Sequence, residues 1–183
     1  MMLELSLNIL DIAQNSFRAG ANLIEITIFE DSYHKEITVV IEDNGSGMTE
    51  ETAQSVTDPF FTSRQTRKIG MGIPLFKMAA EMTGGSFALE SKPGIGTKVS
   101  AVFKTESIDF IPLGDMGQTL SLLFGTKAGT QINYVHRVDG RSFELKSETL
   151  QNILGDVPLN SPEVSTWISD YVNQEINIIR GGV

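Results

Sequence analysis

The sequence predicts an α+β protein, a two-layer sandwich in which a mixed or antiparallel sheet carries helices on one face. Three observations predict it. Strands arrive as hairpins, 22–30 with 36–43 and 86–92 with 97–104. A doubly wound parallel sheet would alternate strands with helices instead. An amphipathic helix over 3–18 precedes the first hairpin, and two helical stretches, 49–56 and 72–85, separate it from the second.

The first helix repeats apolar residues at helical spacing: Leu3, Leu7 and Leu10, with Ile9, Ala13 and Phe17 on an adjoining stripe. Gly20 closes it. NLIEITIFE alternates and is rich in β-branched residues, DSYHK turns the chain, and EITVVIED returns. Thr49 is placed to cap TEETAQSV. GIPLFKMAAEMTGG is a helix entered and left through glycine, with Pro74 in the first turn, where its missing N–H costs nothing. SFALESK and TKVSAVFK are then joined by PGIG. The order α-β-β-α-α-β-β defines an expected first domain, 1–105.

Residues 106–183 have a different texture and are expected to form a small accessory α/β unit packed against that domain. IDFIPLGDMGQ reads as a linker, and Met116, Leu120, Leu123 and Phe124 fall at helical spacing. QINYVHRV and RSFELK flank Asp139-Gly140, a strong hairpin signal. SETLQNIL and SPEVSTWISDYVNQEINII read as helices, both entered at serine. Trp167 and the methionines are expected in the core.

With 40% apolar and 20% charged residues in 183, the composition is that of a globular protein. No apolar run approaches the length of a membrane span. The start carries Glu4 and Asp11 and lacks a basic leader, so an amphipathic helix is expected there and not a signal peptide. The expectation is a soluble, cytoplasmic chain. There is no cysteine, which excludes disulfides, thiol catalysis and cysteine-based zinc sites. His34 falls in a turn and His136 in a strand, both read as structural or solvent-facing. A net charge of −9 argues against nucleic acid. Arg64, Arg67 and Lys68 are a local exception, and fit a small anionic ligand.

Four segments carry chemistry. Asp11 and Asn15 are one helical turn apart on one face. The Asn15 amide oxygen is a hard ligand suited to Mg²⁺, and a carboxylate one turn earlier can take a proton from a nucleophile. Taken alone, the pair also reads as solvated surface. Asp43 ends a strand and opens DNGSGM, where its carboxylate can accept from an exocyclic amine, and Gly45 and Gly47 let backbone approach a flat base. The same loop also reads as a plain turn. DPFFTSR places Phe60 and Phe61 as anchors for a mobile lid over 62–69, or as ordinary core filling, which at least one of the two rings is expected to be. RKIGMGI sets Gly70 and Gly72 at a helix mouth, an anion site whose spacing is not that of GxxxxGK[ST]. PGIGT, with Thr97, is a weaker fifth segment. Together they predict an ATP site. Its expected contacts are Asn15, Asp43, Gly45, Gly47, Met48, Phe61, Thr62, Arg64, Lys68, Ile69, Gly70, Met71, Gly72 and Thr97.

In this order, the segments over 3–104 resemble the ATPase superfamily of DNA gyrase, the Hsp90 chaperone, histidine kinases and MutL (GHKL). NILDIAQNSFRAGANLIEI is similar to the first motif of MutL-type members; PFFTSRQTRKIGMGI is closer to histidine kinases and anti-sigma-factor serine kinases. The resemblance implies the Bergerat ATP-binding fold, with Asn15 on Mg²⁺ and Asp11 as general base. It further implies Asp43 on the adenine amine, Gly47, Gly70 and Gly72 along base and phosphates, and Thr97 supporting the adenine pocket. Departures are an Asp at 11 where Glu is usual, and Lys68 at the first glycine of the lid pattern. No phosphoacceptor histidine segment precedes the unit, so a self-contained sensor histidine kinase is not expected. The function implied is a Mg·ATP-dependent regulatory kinase acting in trans on a partner protein. A slow ATPase switch and a nucleotide sensor are the alternatives, with a homodimer allowed.

Overall fold

The computed structural model describes residues 4–58, 71–127 and 129–182. In chain order the elements are α1 (Leu5–Arg18), β1 (Leu23–Asp31), β2 (Glu36–Asp43), α2 (Glu50–Val56), α3 (Gly72–Met82), β3 (Ser86–Lys92) and β4 (Gly96–Lys104). They continue with α4 (Met116–Thr126), β5 (Gln131–Val138), β6 (Arg141–Lys146), α5 (Ser147–Leu154) and α6 (Pro162–Ile179). The described strands form one six-stranded sheet in the order β3-β4-β2-β1-β5-β6. All pairings are antiparallel except β1 with β5, so the sheet is mixed and the α+β sandwich stands.

Alternation decides which face is covered. Ile24, Ile26 and Ile28 of β1, Ile37, Val39 and Ile41 of β2, and Val99, Ala101 and Phe103 of β4 all point inward and are buried. Over them lies a helix layer in which α3 packs on α1, α1 on α4, and α4 on α6. α1 contributes Leu5, Ile9, Ile12 and Ala13 to this core, and α6 contributes Val164, Ile168, Val172, Ile176 and Ile179 at helical spacing.

The expected boundary at 105 falls in the loop after β4, yet the sheet continues across it. β5 lies parallel to β1, in register from Leu23 opposite Gln131 to Glu30 opposite Val138. The chain just before α4 also caps α1. Pro112 and Leu113 carbonyls accept the Leu5 and Ser6 N–H groups at 2.9 and 2.8 Å, satisfying donors that an uncapped helix start leaves bare. Among the described residues no side chain caps that end. Thr49 caps α2 as expected, accepting from the Thr52 N–H. Serine behaves otherwise at the last two helices: the Ser147 hydroxyl accepts the Ile132 N–H of β5, and Ser161 makes no capping bond.

Trp167 is not core. It is 44% exposed on the flank of α6 and stacks on Tyr171, one turn on, with ring planes 4° apart. Met71, Met78 and Met82 are also exposed, because α3 buries Ile73, Phe76 and Ala80 instead.

A polar network ties the end of α6 to the sheet. Glu30, the last inward position of β1, accepts from Arg180 at 2.7 and 2.9 Å and faces Nε2 of the fully buried His136 at 2.6 Å. His136 Nδ1 lies 2.7 Å from the buried Tyr134 hydroxyl. Burial raises the Glu30 pKa, but the bonds to His136 and Arg180 outweigh it, and the net value lies below the ordinary 4.5. Burial and the Glu30 charge push the Tyr134 phenol up. A depressed carboxylate stabilises the fold above its unfolded pKa, and that contribution is lost as pH falls through the folded value. Glu30→Gln is therefore expected to cost about 1–3 kcal/mol near neutrality. The gap to wild type should close below pH 4.5. Urea unfolding across the acid range checks this; parallel curves would contradict it.

Candidate functional site

The residues singled out on α1 lie along its flank toward α3. Asn8, Asp11 and Asn15 follow one another there at intervals of three and four. Gly72, the first residue of α3, sits against Asp11: a methyl group on it would come within 2.9 Å of the Asp11 Cβ and 3.1 Å of Oδ2. Any larger residue would push the helix start off the carboxylate. At Asn15, Oδ1 accepts from Arg18 Nη1 at 3.1 Å, which fixes the sense of the amide. The other end, Nδ2, is buried without a partner among the described residues. A buried donor left unmatched is costly.

Asp43 ends β2 with its carboxylate held from two sides. Oδ2 accepts the Ser16 hydroxyl of α1 at 2.6 Å, and Oδ1 accepts the Gly45 N–H at 2.8 Å. The loop that follows is clamped on both flanks. Asn44 Oδ1 accepts from the Asn22 and Leu23 N–H groups, both at 3.0 Å, and the Ser46 carbonyl accepts the Gly94 N–H at 2.7 Å. Gly45 is buried against Ala19, whose Cβ a methyl group would approach to 2.8 Å. Gly47 has φ +63°, and a side chain there would overlap the Lys92 carbonyl, so both conformation and space demand glycine.

Thr97 of β4 lies directly opposite Asp43. Ser91 Oγ accepts the Met48 N–H at 2.9 Å and donates to the Gly96 carbonyl at 3.0 Å. Its one proton is thus committed, so the 2.8 Å contact with Thr97 Oγ1 has Thr97 as donor. The Thr97 oxygen keeps its lone pairs for another donor.

Between α1, α3 and the sheet these residues enclose a cavity of about 490 Å³, within the range of small-molecule sites. Ile12, Ile41, Ile73 and Val99 give it apolar walls, and Asn15, Ser16, Asp43 and Thr97 converge on it. Arg18, Ala19, Ser46, Gly47 and Met48 complete the lining. Five sequence-derived positions therefore meet at one cavity: Asn15, Asp43, Gly47, Met48 and Thr97. Gly45 lies behind the lining. Asp11 and Gly72 pack on each other beside the cavity, and Met71 stands at the N-cap of α3, 67% exposed. Phe60, Phe61, Thr62, Arg64, Arg67, Lys68, Ile69 and Gly70 lie outside the described residues.

Sequence reasoning passed over Ser16 and Arg18. Ser16 had a signal: it falls where the buried stripe Leu5–Ile9–Ile12 calls for an apolar residue. His34 pairs with Asp31 at an exposed turn, and His136 is structural. Among the described residues no group of three or more His, Cys, Asp or Glu could hold a metal ion. Asn15 Oδ1, a hard oxygen on a cavity-lining residue, would suit a cation such as Mg²⁺ that takes its other ligands from a substrate and water. No helix among the described residues is long and apolar enough to cross a membrane.

Comparison with known proteins bears on this arrangement. The sequence model of the histidine kinase-, DNA gyrase B- and HSP90-like ATPases matches residues 1–107, more than half of the chain. The chain is similar to sporulation kinase D of Bacillus subtilis (strain 168), 30% identical over 92 residues, which are 50% of this chain and 18% of that protein. It is also similar to the cell-division control histidine kinase PdhS of Brucella abortus (strain S19), 28% identical over 113 residues, 55% of this chain and 11% of that protein. The match thus spans less than a fifth of either relative. The cavity lies between elements of the matched region, and the chain belongs to the histidine kinase-, DNA gyrase B- and HSP90-like ATPase family.

Proposed function

We propose that the chain binds Mg·ATP in the cavity between α1 and the sheet and transfers the γ-phosphoryl group to a partner protein in trans. The observation that carries this reading is the convergence on one apolar cavity of a fixed carboxylate, Asp43, and an amide with an unmatched buried donor, Asn15. Two of the Asp43 lone pairs are taken by Ser16 and Gly45, and those remaining accept from the exocyclic amine of adenine. Thr97 supports the same edge of the base. Ile12, Ile41, Ile73 and Val99 cover the ring faces and exclude water. Family membership and the kinase names of the similar proteins support ATP as the ligand and a kinase-like role.

Asn15 would hold the metal through Oδ1, which requires Arg18 to leave that oxygen and turn to the phosphates. Mg²⁺, when bound, would offset the charge of the phosphates. Asp11 accepts the proton of the attacking hydroxyl or imidazole as the new bond to phosphorus forms and the bond to the β-phosphate oxygen breaks, releasing ADP. Arg64, Arg67 and Lys68 offset charge on the transferring group. A second reading, a slow ATPase switch or a nucleotide sensor, is favoured by one observation: Asp11 packs on Gly72 and does not line the cavity.

Calorimetry of ATP with and without Mg²⁺ is expected to give metal-dependent binding in the wild type that disappears in Asn15→Ala. Metal-dependent binding unchanged in the variant would contradict the assignment. Asp11→Asn should keep ATP affinity and lower turnover about a hundredfold or more, as loss of a positioned base does. Unchanged release of γ-phosphate from ATP in that variant would remove Asp11 from the chemistry, and no release even from the wild type would leave the sensor reading.

A further inference from the structure

Ser91, Thr97 and Asp43 form a row of oxygen-bearing side chains across adjacent strands. Ser91 of β3 lies opposite Thr97 of β4, and Thr97 lies opposite Asp43 of β2. Each is two residues from an inward-facing neighbour, Leu89, Val99 or Ile41, so all point toward the helix layer. Thr97 and Asp43 line the cavity of about 490 Å³, whereas Ser91 stands one strand further out and is not part of its lining. The Ser91 hydroxyl is saturated. Its proton goes to the Gly96 carbonyl at 3.0 Å, and its two lone pairs take the Met48 N–H at 2.9 Å and the Thr97 hydroxyl at 2.8 Å. The Thr97 proton is therefore held toward Ser91, and toward a ligand Thr97 can only accept. The Asp43 carboxylate beside it is an acceptor as well.

We infer that Ser91 is a positioning residue which, by fixing the Thr97 hydroxyl, makes the site select a 6-amino over a 6-oxo purine. The inference rests on the nucleotide reading above. An exocyclic amine offers two N–H groups on one nitrogen, one for Asp43 and one for Thr97. A carboxylate alone discriminates poorly, because a 6-oxo purine carries a proton on N1 that Asp43 could accept. The fixed Thr97 oxygen completes the distinction: a 6-oxo group would meet an acceptor with an acceptor, leaving both unpaired, which costs more than a bond merely not formed. Without the Ser91 oxygen the Thr97 hydroxyl is free to rotate and donate to the 6-oxo group. The direction of one proton thus carries specificity, and a side chain outside the cavity sets it.

The test compares ATP with inosine triphosphate, which carries oxygen in place of the amine, by calorimetry on the full chain. The wild type should prefer ATP by about tenfold or more, and Ser91→Ala should reduce that ratio about tenfold. Ser91→Thr, which keeps the hydroxyl, should retain it. Thr97→Val should lose the preference too, and adding Ser91→Ala to that variant should change the ratio no further, because Ser91 acts through Thr97. A purely structural role for Ser91 would weaken both nucleotides alike; an unchanged ratio in Ser91→Ala would overturn the inference while ATP binding kept the nucleotide reading. An equal effect of Ser91→Ala with and without the Thr97 hydroxyl would overturn it as well. No ATP binding in the wild type would remove the nucleotide reading and this inference with it.

Discussion

The hydrogen bond from Ser16 to Asp43 joins two elements that are 27 residues apart in sequence, and the site depends on it. It fixes a carboxylate at the end of β2 relative to α1, and so relative to Asn15, the neighbour of Ser16. A charge-assisted bond of this kind contributes about 1.5–3 kcal/mol, which is also the scale on which it resists rotation of the carboxylate. The other end of α1 is held by carbonyls of Pro112 and Leu113. With both ends anchored, α1 presents Asn8, Asp11 and Asn15 to the α3 seam as a rigid row.

What was legible in the sequence was local. Hairpins showed in alternation and in Asp139-Gly140, and Asp43 and Asn15 showed in short motifs whose spacing needs no tertiary knowledge. What was illegible depended on distant contacts. Ser16 differs from its neighbours only in being buried, and that is set by Asp43. Nothing in QINYVHRV says that it pairs in parallel with β1, because parallel partners are chosen by packing and not by a turn. Gly45 and Gly47 look alike in DNGSGM, yet one packs on Ala19 and the other on Lys92. Trp167 has a core residue's chemistry, and only the orientation of α6 puts it outside.

The C-terminal third is wired into the site without lining its cavity. β5 continues the sheet beside β1, α4 packs on α1, and Arg180 at the end of α6 is paired with Glu30 of β1. Asn173 of α6 accepts the Gly117 N–H at 3.0 Å and donates to Asp115 at 2.8 Å, joining α6 to the start of α4. α4 thus touches both α6 and α1.

Asp43 is proposed to accept from the exocyclic amine of adenine. The direct measurement compares the affinity of ATP with that of purine riboside triphosphate, which has the same ring and phosphates and lacks the amine. One charge-assisted hydrogen bond predicts that the analogue binds about tenfold more weakly or worse. Equal affinity would mean that the carboxylate held by Ser16 and Gly45 serves the fold alone, and that the base, if bound, lies elsewhere.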